Sequence, residues 1–147
     1  SWRSPANLLR VELAFRRLAD LSPIPAFHVI AHGQLTAPAA FAMQDFNSTL
    51  ADLNAADWML WFHRMELIAR LGMVSRVPAF QRQVDELKAV LDEGGGYFLH
   101  ALSHRYLQAP GVYAGLRLEP DWRTPQRRVN DLTFRCLLIS HFAAAED

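Results

Sequence analysis

Residues 54–72 read NAADWMLWFHRMELIARLG, the clearest helical pattern in the chain. Apolar side chains recur every three or four positions, which places them on one face of a helix with 3.6 residues per turn. Asn54 can accept a hydrogen bond from an N–H of the first turn, and Gly72 can adopt the left-handed conformation that ends a helix. We therefore predict a central helix that packs on more than one side. Its apolar stripe consists of Trp58, Trp61, Phe62, Met65 and Ile68.

Residues 78–93 predict an amphipathic partner for this helix. Its apolar positions keep a four-three-four spacing, and the opposite face is charged. Because only residues 73–77 connect the two helices, they should pack as an antiparallel helical hairpin. The apolar face consists of Phe80, Val84, Leu87 and Leu91.

The remaining segments complete an all-α prediction of five or six helices in a single helical domain over residues 1–147. Serine or threonine followed by proline marks the start of the first and last helices, because the hydroxyl caps the helix and proline fits its first turn. An irregular or short β excursion is expected at about residues 97–122, where Pro110-Gly111 interrupts the helical pattern. The other predicted helices are residues 5–21, 26–32, 39–46 and 124–143, and residues 49–53 are predicted as one further helical turn.

The composition is that of a globular protein without a strong electric field. Hydrophobic residues make up 51% of the 147 residues, and 15 basic residues balance 15 acidic ones. The chain therefore has no net charge to attract nucleic acid or an anionic membrane. A single cysteine excludes an internal disulfide, and no apolar run approaches the roughly 20 residues that span a bilayer. We expect a cytoplasmic protein, although a chain that begins at Ser1 can be a fragment of a longer one.

Two motifs, one before the helix predicted at residues 78–93 and one at its end, resemble one repeat of the α/α-toroid families. Residues 65–72 read MELIARLG and residues 91–98 read LDEGGGYF, similar to the leucine-glycine step and glycine-aromatic turn of those repeats. The families are the terpenoid cyclases and protein prenyltransferases, with bacterial proteins of unassigned function that share their repeats. Residues 121–134, DWRTPQRRVNDLTF, resemble the start of a further repeat helix in the bacterial proteins. The resemblance covers about residues 55–143 and implies a partial toroid-like arrangement.

The chain departs from the enzymes of those families in its chemistry. The Asp-x-Asp-Asp acid of the squalene-cyclase type is absent, and Tyr97 follows the glycines where tryptophan would be expected. A complete toroid also needs about twice as many helices as this chain supplies. The resemblance therefore does not imply cyclase or prenyltransferase activity.

Arginines near the start of the last predicted helix form the candidate ligand-binding surface. Planar guanidinium groups and a helix N-terminus both suit anionic ligands. The alternative interpretation is an exposed face held by its own ion pairs, with Asp131 one turn on from Arg127 as a compensating acid. The candidate ligand-binding residues are Arg127, Arg128, Asp131, Tyr113 and Trp122.

Other chemical groups favour structural roles. Two histidine pairs have the i, i+4 spacing of metal ligands on a helix, but no His-Glu-x-x-His pattern supports either pair. Cys136 lies on an apolar helix face, where a thiol has no base to activate it. We predict no metal site, no cofactor and no catalytic set. The histidine pairs are His28 with His32 and His100 with His104.

Two classes of function remain open. The first is a helical-repeat module that binds a small molecule or a protein partner without catalysis, with a second copy of the chain as a possible partner. The second is a winged-helix type of nucleic-acid-binding domain, with residues 54–93 as the helical pair and residues 97–118 as the wing. The neutral net charge disfavours the second class. A partial terpenoid-cyclase-like enzyme is a further alternative.

Overall fold

The computed structural model describes residues 2–24, 28–36, 45–102 and 118–144. Within these ranges the chain forms four α-helices and one small antiparallel sheet, which confirms the all-α class with a short β excursion. The chain divides into two compact units, Ser1–Ser48 and Thr49–Asp147. Compact units of this size can belong to one domain, so the single domain over residues 1–147 stays a prediction.

Helix α1, Pro5–Leu21, begins and ends where its sequence predicts. The hydroxyl of Ser4 accepts a hydrogen bond from the Asn7 N–H at 3.4 Å, and Pro5 occupies the first turn. At the other end Ser22 Oγ donates to the Leu18 carbonyl at 2.8 Å and accepts from the Phe46 N–H at 3.2 Å. The apolar face of α1 is half-buried at Leu8, Val11, Phe15 and Leu18.

The sheet occupies a place where the sequence predicted a helix. Strands β1, Val29–Ala31, and β2, Gln34–Thr36, pair antiparallel with Ile30 opposite Leu35. His32 and Gly33 form the two-residue turn between them, with φ of 52° and 76°. Two successive positive φ angles match the twist of a tight hairpin, whereas a helix requires negative ones. The helix predicted for residues 26–32 is therefore wrong over residues 28–32, and residues 26 and 27 lie outside the described ranges.

Two other predicted segments fall partly on undescribed residues. Residues 39–44 of the short helix predicted for 39–46 lie outside the described ranges, and Asp45 and Phe46 are not helical. Within the predicted excursion at 97–122, residues 97–102 and 118–122 have no helix or strand. Residues 103–117 lie outside the described ranges.

The second unit contains the helices predicted most clearly. A 3₁₀ helix, Leu50–Asp52, confirms the single turn expected there. Asn54 Oδ1 then accepts from the N–H groups of Ala56 and Asp57 at 2.9 and 3.0 Å, which caps the helix that begins at Ala55, as predicted. The three α-helices of this unit are α2, Ala55–Arg70, α3, Pro78–Glu93, and α4, Pro125–Ala144.

Helix α4 packs against both α2 and α3, with the larger contact to α2. The direct contact between α2 and α3 is smaller, and a buried hydrogen bond of 3.0 Å from Trp61 Nε1 to Gln83 Oε1 forms part of it. The last helix therefore packs on both helices of the predicted hairpin. Its contacts account for the wide apolar surface that the sequence of α2 carries.

The aromatic stripe of α2 forms a filled core. Trp58 packs edge-to-face on Trp61 and on Phe98, with ring centroids 5.5 and 5.0 Å apart, and Phe62 lies 5.3 Å from Phe98. None of these four rings is more than 2% exposed. The Phe98 N–H donates to Thr133 Oγ1 of α4 at 3.0 Å, so the segment after α3 is tied to the last helix.

Gly95 allows a test of how α3 ends. Its φ is +64°, and a Cβ added there would meet no atom within 4 Å, so the cost of an alanine is conformational. We expect Gly95→Ala to lower the free energy of unfolding by about 1 kcal/mol, measured by urea denaturation. Gly95→Asn should cost less, because asparagine adopts the left-handed region more readily. Equal stability of wild type and Gly95→Ala would contradict the left-handed ending.

Candidate functional site

The predicted ligand-binding residues lie where residues 118–124 meet the first three turns of α4. Arg127, Arg128 and Asp131 are on α4, and Trp122 precedes it in the connecting segment. The structure brings these four residues together, whereas Tyr113 lies outside the described residues. Their role as a ligand site stays a prediction.

Asp131 is the buried centre of this region. Asp131 is 1% exposed, and its carboxylate accepts three hydrogen bonds. Oδ1 accepts from the backbone N–H groups of Leu118 and Glu119 at 2.8 and 3.2 Å, and Oδ2 accepts from Trp122 Nε1. A buried carboxylate needs such donors to offset the loss of water. Asp131 therefore anchors residues 118–122 to α4.

Two further side chains of α4 strengthen this attachment. Arg128 Nη1 donates to the Trp122 carbonyl at 2.7 Å, and Asn130 Nδ2 donates to Glu119 Oε1 at 2.7 Å. Both bonds span from the helix to the segment that Asp131 holds. Helix α4 thus positions the backbone, the indole and the acids of residues 118–122.

Arg127 is paired with acids of the same segment. Its Nη1 lies 2.7 Å from Asp121 Oδ2, and its Nε lies 3.7 Å from Glu119 Oε2. The hydrogen bond from the Arg123 N–H, and after it the one from the Arg127 side chain, lower the pKa of Asp121. The hydrogen bond between Asp121 and Arg127 also raises the pKa of Arg127. An anionic ligand would have to compete with these carboxylates for the exposed guanidinium. The arrangement suits a structural attachment better than an open anion site.

A second polar group lies where His63 and Glu66 of α2 come close to the charge of Arg135 on α4, and it was not predicted as a site from the sequence. Arg64 on α2 is 1% exposed and Arg135 on α4 is 4% exposed. Burial lowers the pKa of Arg135, while Glu66 and then Asp131 oppose that change. The sequence carried one signal of this burial. The polar positions of α2 form only a narrow strip, so some of them must lie beside side chains that pack in the core. Glu66 itself binds Arg70 at 2.9 Å.

His63 in this group predicts a pH dependence of stability. Burial, and then the positive charge of Arg135, lower the pKa of His63 below 6.5, with Glu66 in partial opposition. Below about pH 6.5 the unfolded histidine binds a proton that the folded one does not, so the free energy of unfolding should fall as pH falls towards the folded pKa. The contribution is fully present above the unfolded pKa. We expect His63→Gln to flatten this part of the profile.

The measurement is the urea midpoint at about pH 7.5 and about pH 5.5 for wild type and His63→Gln. His141→Gln, on the exposed side of α4, is the matched control for the loss of an imidazole. If the midpoint of His63→Gln shifts with pH as much as that of wild type, His63 does not carry the effect.

None of the three described histidines of the predicted pairs lies on a helix. His28 precedes β1 and His32 lies in the hairpin turn, so the i, i+4 helical geometry is absent from that pair. His100 is in the irregular segment after α3 and stacks on Phe98 at 5.0 Å, and His104 lies outside the described residues. No cluster of three or more His, Cys, Asp or Glu side chains in the described ranges could hold a metal ion.

Cys136 has the surroundings of a core residue. Its side chain is buried in α4, and burial raises the pKa of its thiol. A reactive cysteine needs a lowered pKa and access to solvent. The environment is therefore that of an inert core thiol, as the apolar face of the helix predicted.

A shallow open groove of about 720 Å³ lies along α3. Its charged side chains bind one another, with Arg82 Nη1 3.3 Å from Glu86 Oε1. Glu86 also accepts the Leu50 N–H at 2.7 Å, which ties the 3₁₀ helix to α3. The groove is lined by Ser75, Pro78, Gln81, Arg82, Asp85, Glu86 and Ala89.

Comparison with protein-family models, with curated proteins and with solved structures returns no match to this chain. The toroid-like resemblance over about residues 55–143 therefore stays a prediction from the sequence. Across the described ranges, every helix is too short or too polar to span a bilayer.

Proposed function

We propose that this chain is a non-catalytic helical module that binds a protein partner through apolar side chains of its first unit. The observation that carries this proposal is the exposure of large aliphatic side chains there. Ile30 is 78% exposed and Leu35 is 72% exposed, and the two are partners across the hairpin. Leu9 and Leu13 of α1 are 53% and 56% exposed. Each of these two pairs is a small contiguous apolar surface, and contiguous exposed apolar surface is typical of interaction sites.

The hairpin itself supports a binding role. Each strand has only three residues, and a two-stranded hairpin is marginally stable in water without a further strand or a packing surface. Ile30 and Leu35 sit directly opposite each other, so a partner that covered one would also cover the other. Burial of this pair would add stability to the hairpin and affinity to the complex.

The second unit gives less support to the small-molecule alternative. The aromatic stripe of α2 is packed ring against ring instead of lining a hollow. Arg127, Arg128 and Asp131 hold residues 118–122 of their own chain. Within the part of the chain that the structure describes, no specific observation favours the nucleic-acid or the enzymatic alternative. A cytoplasmic location and a bacterial source are part of the same proposal.

The proposal is tested by affinity capture followed by reconstitution. The tagged chain would be used to purify proteins from a lysate of its source cell, and each stoichiometric candidate would then be titrated against the pure chain by calorimetry. We expect Ile30→Asp with Leu35→Asp, or Leu9→Asp with Leu13→Asp, to weaken binding by about tenfold or more. Leu137→Asp, at a leucine 54% exposed on α4, is the matched control. Unchanged affinity in both double variants would overturn the proposal.

A further inference from the structure

The outward face of α1 carries a second apolar stripe, formed by Ala6, Leu9 and Leu13. These residues are spaced three and four apart, and all three are exposed. The opposite face of the helix already contains its half-buried apolar residues. A helix that is apolar on two faces has packing surface for an element on each side. We call Ala6, Leu9 and Leu13 the outer stripe.

The outer stripe has a positively charged edge. Arg10 and Arg17 are seven residues apart and lie on the same side of Leu9 and Leu13. Arg10 Nη1 donates to Asn7 Oδ1 at 3.2 Å, a neutral acceptor that leaves the charge of the guanidinium uncompensated by this bond. On the other side of the stripe, Arg16 is compensated by Glu12 at 2.9 Å. The charge therefore lies on one edge.

We infer that the outer stripe binds an acidic amphipathic helix of a protein partner, an inference that rests on the proposed function. Leucine-sized side chains of the partner would pack between Leu9 and Leu13. Carboxylates seven residues apart on the partner would lie beside Arg10 and Arg17, where a guanidinium can bind them bidentately. The pairing follows helix-in-groove recognition, with apolar anchors for affinity and charge for partner choice.

Features of the same face distinguish this occupant from the alternatives. Asp20 continues the line of the outer stripe, and a carboxylate there is unfavourable against an anionic membrane. A second copy packed antiparallel would set the arginine edges against each other. A helix with acids opposite Arg10 and Arg17 and a base opposite Asp20 complements all three charges.

The test uses two synthetic helical peptides that differ only in charge. Both carry leucine at the seam positions, and the flanking positions are glutamate in one and lysine in the other. We expect the acidic peptide to bind the intact chain about tenfold more tightly than the basic one, measured by fluorescence anisotropy, with the preference weakening as salt is added. Arg10→Glu with Arg17→Glu should reverse the preference. Arg123→Glu, at a side chain 87% exposed in the second unit, is the charge control.

Each other outcome overturns the inference. These outcomes are no binding of the acidic peptide, equal binding of both peptides, binding only to vesicles of phosphatidylserine and phosphatidylcholine, or a dimer by sedimentation that the double reversal dissociates. Circular dichroism of the variants checks that α1 remains folded. If a natural partner is lost in Ile30→Asp with Leu35→Asp but retained in Arg10→Glu with Arg17→Glu, the proposed function stands and the role of α1 fails.

Discussion

Trp61→Ala should lower the free energy of unfolding by roughly 3–5 kcal/mol, the largest effect expected in the second unit. Trp61 is 0% exposed and packs edge-to-face on Trp58 and Phe62 at 5.5 Å in each case. Alanine would leave a cavity among rings that cannot move together to fill it. The substitution also removes the indole donor that binds Gln83 Oε1 at 3.0 Å. Urea denaturation followed by circular dichroism gives the change directly.

One variant at this position separates volume from hydrogen bonding, and a second variant at an exposed tryptophan is the control. Trp61→Phe keeps most of the ring volume and removes the N–H donor, so it should cost roughly 1–3 kcal/mol. Trp2→Ala, at a tryptophan 51% exposed, should change stability by less than about 1 kcal/mol. A cost below about 1 kcal/mol for Trp61→Ala would mean that the aromatic stripe is exposed or forms an interface instead of the core.

Asp131→Ala should lower the free energy of unfolding by roughly 2–4 kcal/mol, because it removes the acceptor of three hydrogen bonds at once. The N–H groups of Leu118 and Glu119 can turn towards water. The indole N–H of Trp122 is in a residue only 9% exposed and loses its acceptor outright. Arg135, which is 4% exposed, also loses a nearby negative charge that favours its protonated form. Both consequences act in the same direction.

The anchoring role of Asp131 has its own readout. Release of residues 118–122 should expose Trp122 to water, so the emission that Trp122→Phe removes should lie at longer wavelength in Asp131→Ala than in the wild type. A double-mutant cycle with Trp122→Phe should give a coupling energy of about 1 kcal/mol or more. Asp85→Ala, at a side chain 58% exposed on α3, is the matched control and should be close to neutral. A neutral Asp131→Ala would show that the segment is held by other contacts.

The helices of the second unit could be read from the sequence because their signals are local. Asn54 caps α2 with bonds to residues two and three positions on, and the spacing of Trp58, Trp61 and Met65 is a property of one helix. Left-handed glycines end both α2 and α3, with φ of 71° at Gly72 and 64° at Gly95. Such features involve neighbours within one or two turns.

The hairpin at residues 29–36 shows where local reasoning failed. The apolar run before Gly33 fits two turns of helix as well as a strand, because a short run has no decisive period. The signal that was missed is the pair His32-Gly33, which adopts positive φ at both positions. Glycine was recognised as a stop, but histidine is not a common residue at the first position of such a turn.

The sequence by itself determined the four α-helices of the described residues, the balance of charge and the side chains able to meet anions, since these depend on residue identity and on spacing along one helix. Only the tertiary structure decided how those side chains are used. Arg127 and Arg128 bind Asp121 and the Trp122 carbonyl, and Asp131 accepts donors nine to thirteen residues away, partners that no helical period can indicate. The apolar surface of α2 was wide in the sequence, but only packing shows that α4 covers it. The physical reason is that the role of a donor, a charge or an apolar face depends on the partner that the fold brings within reach. That partner lies elsewhere in the chain.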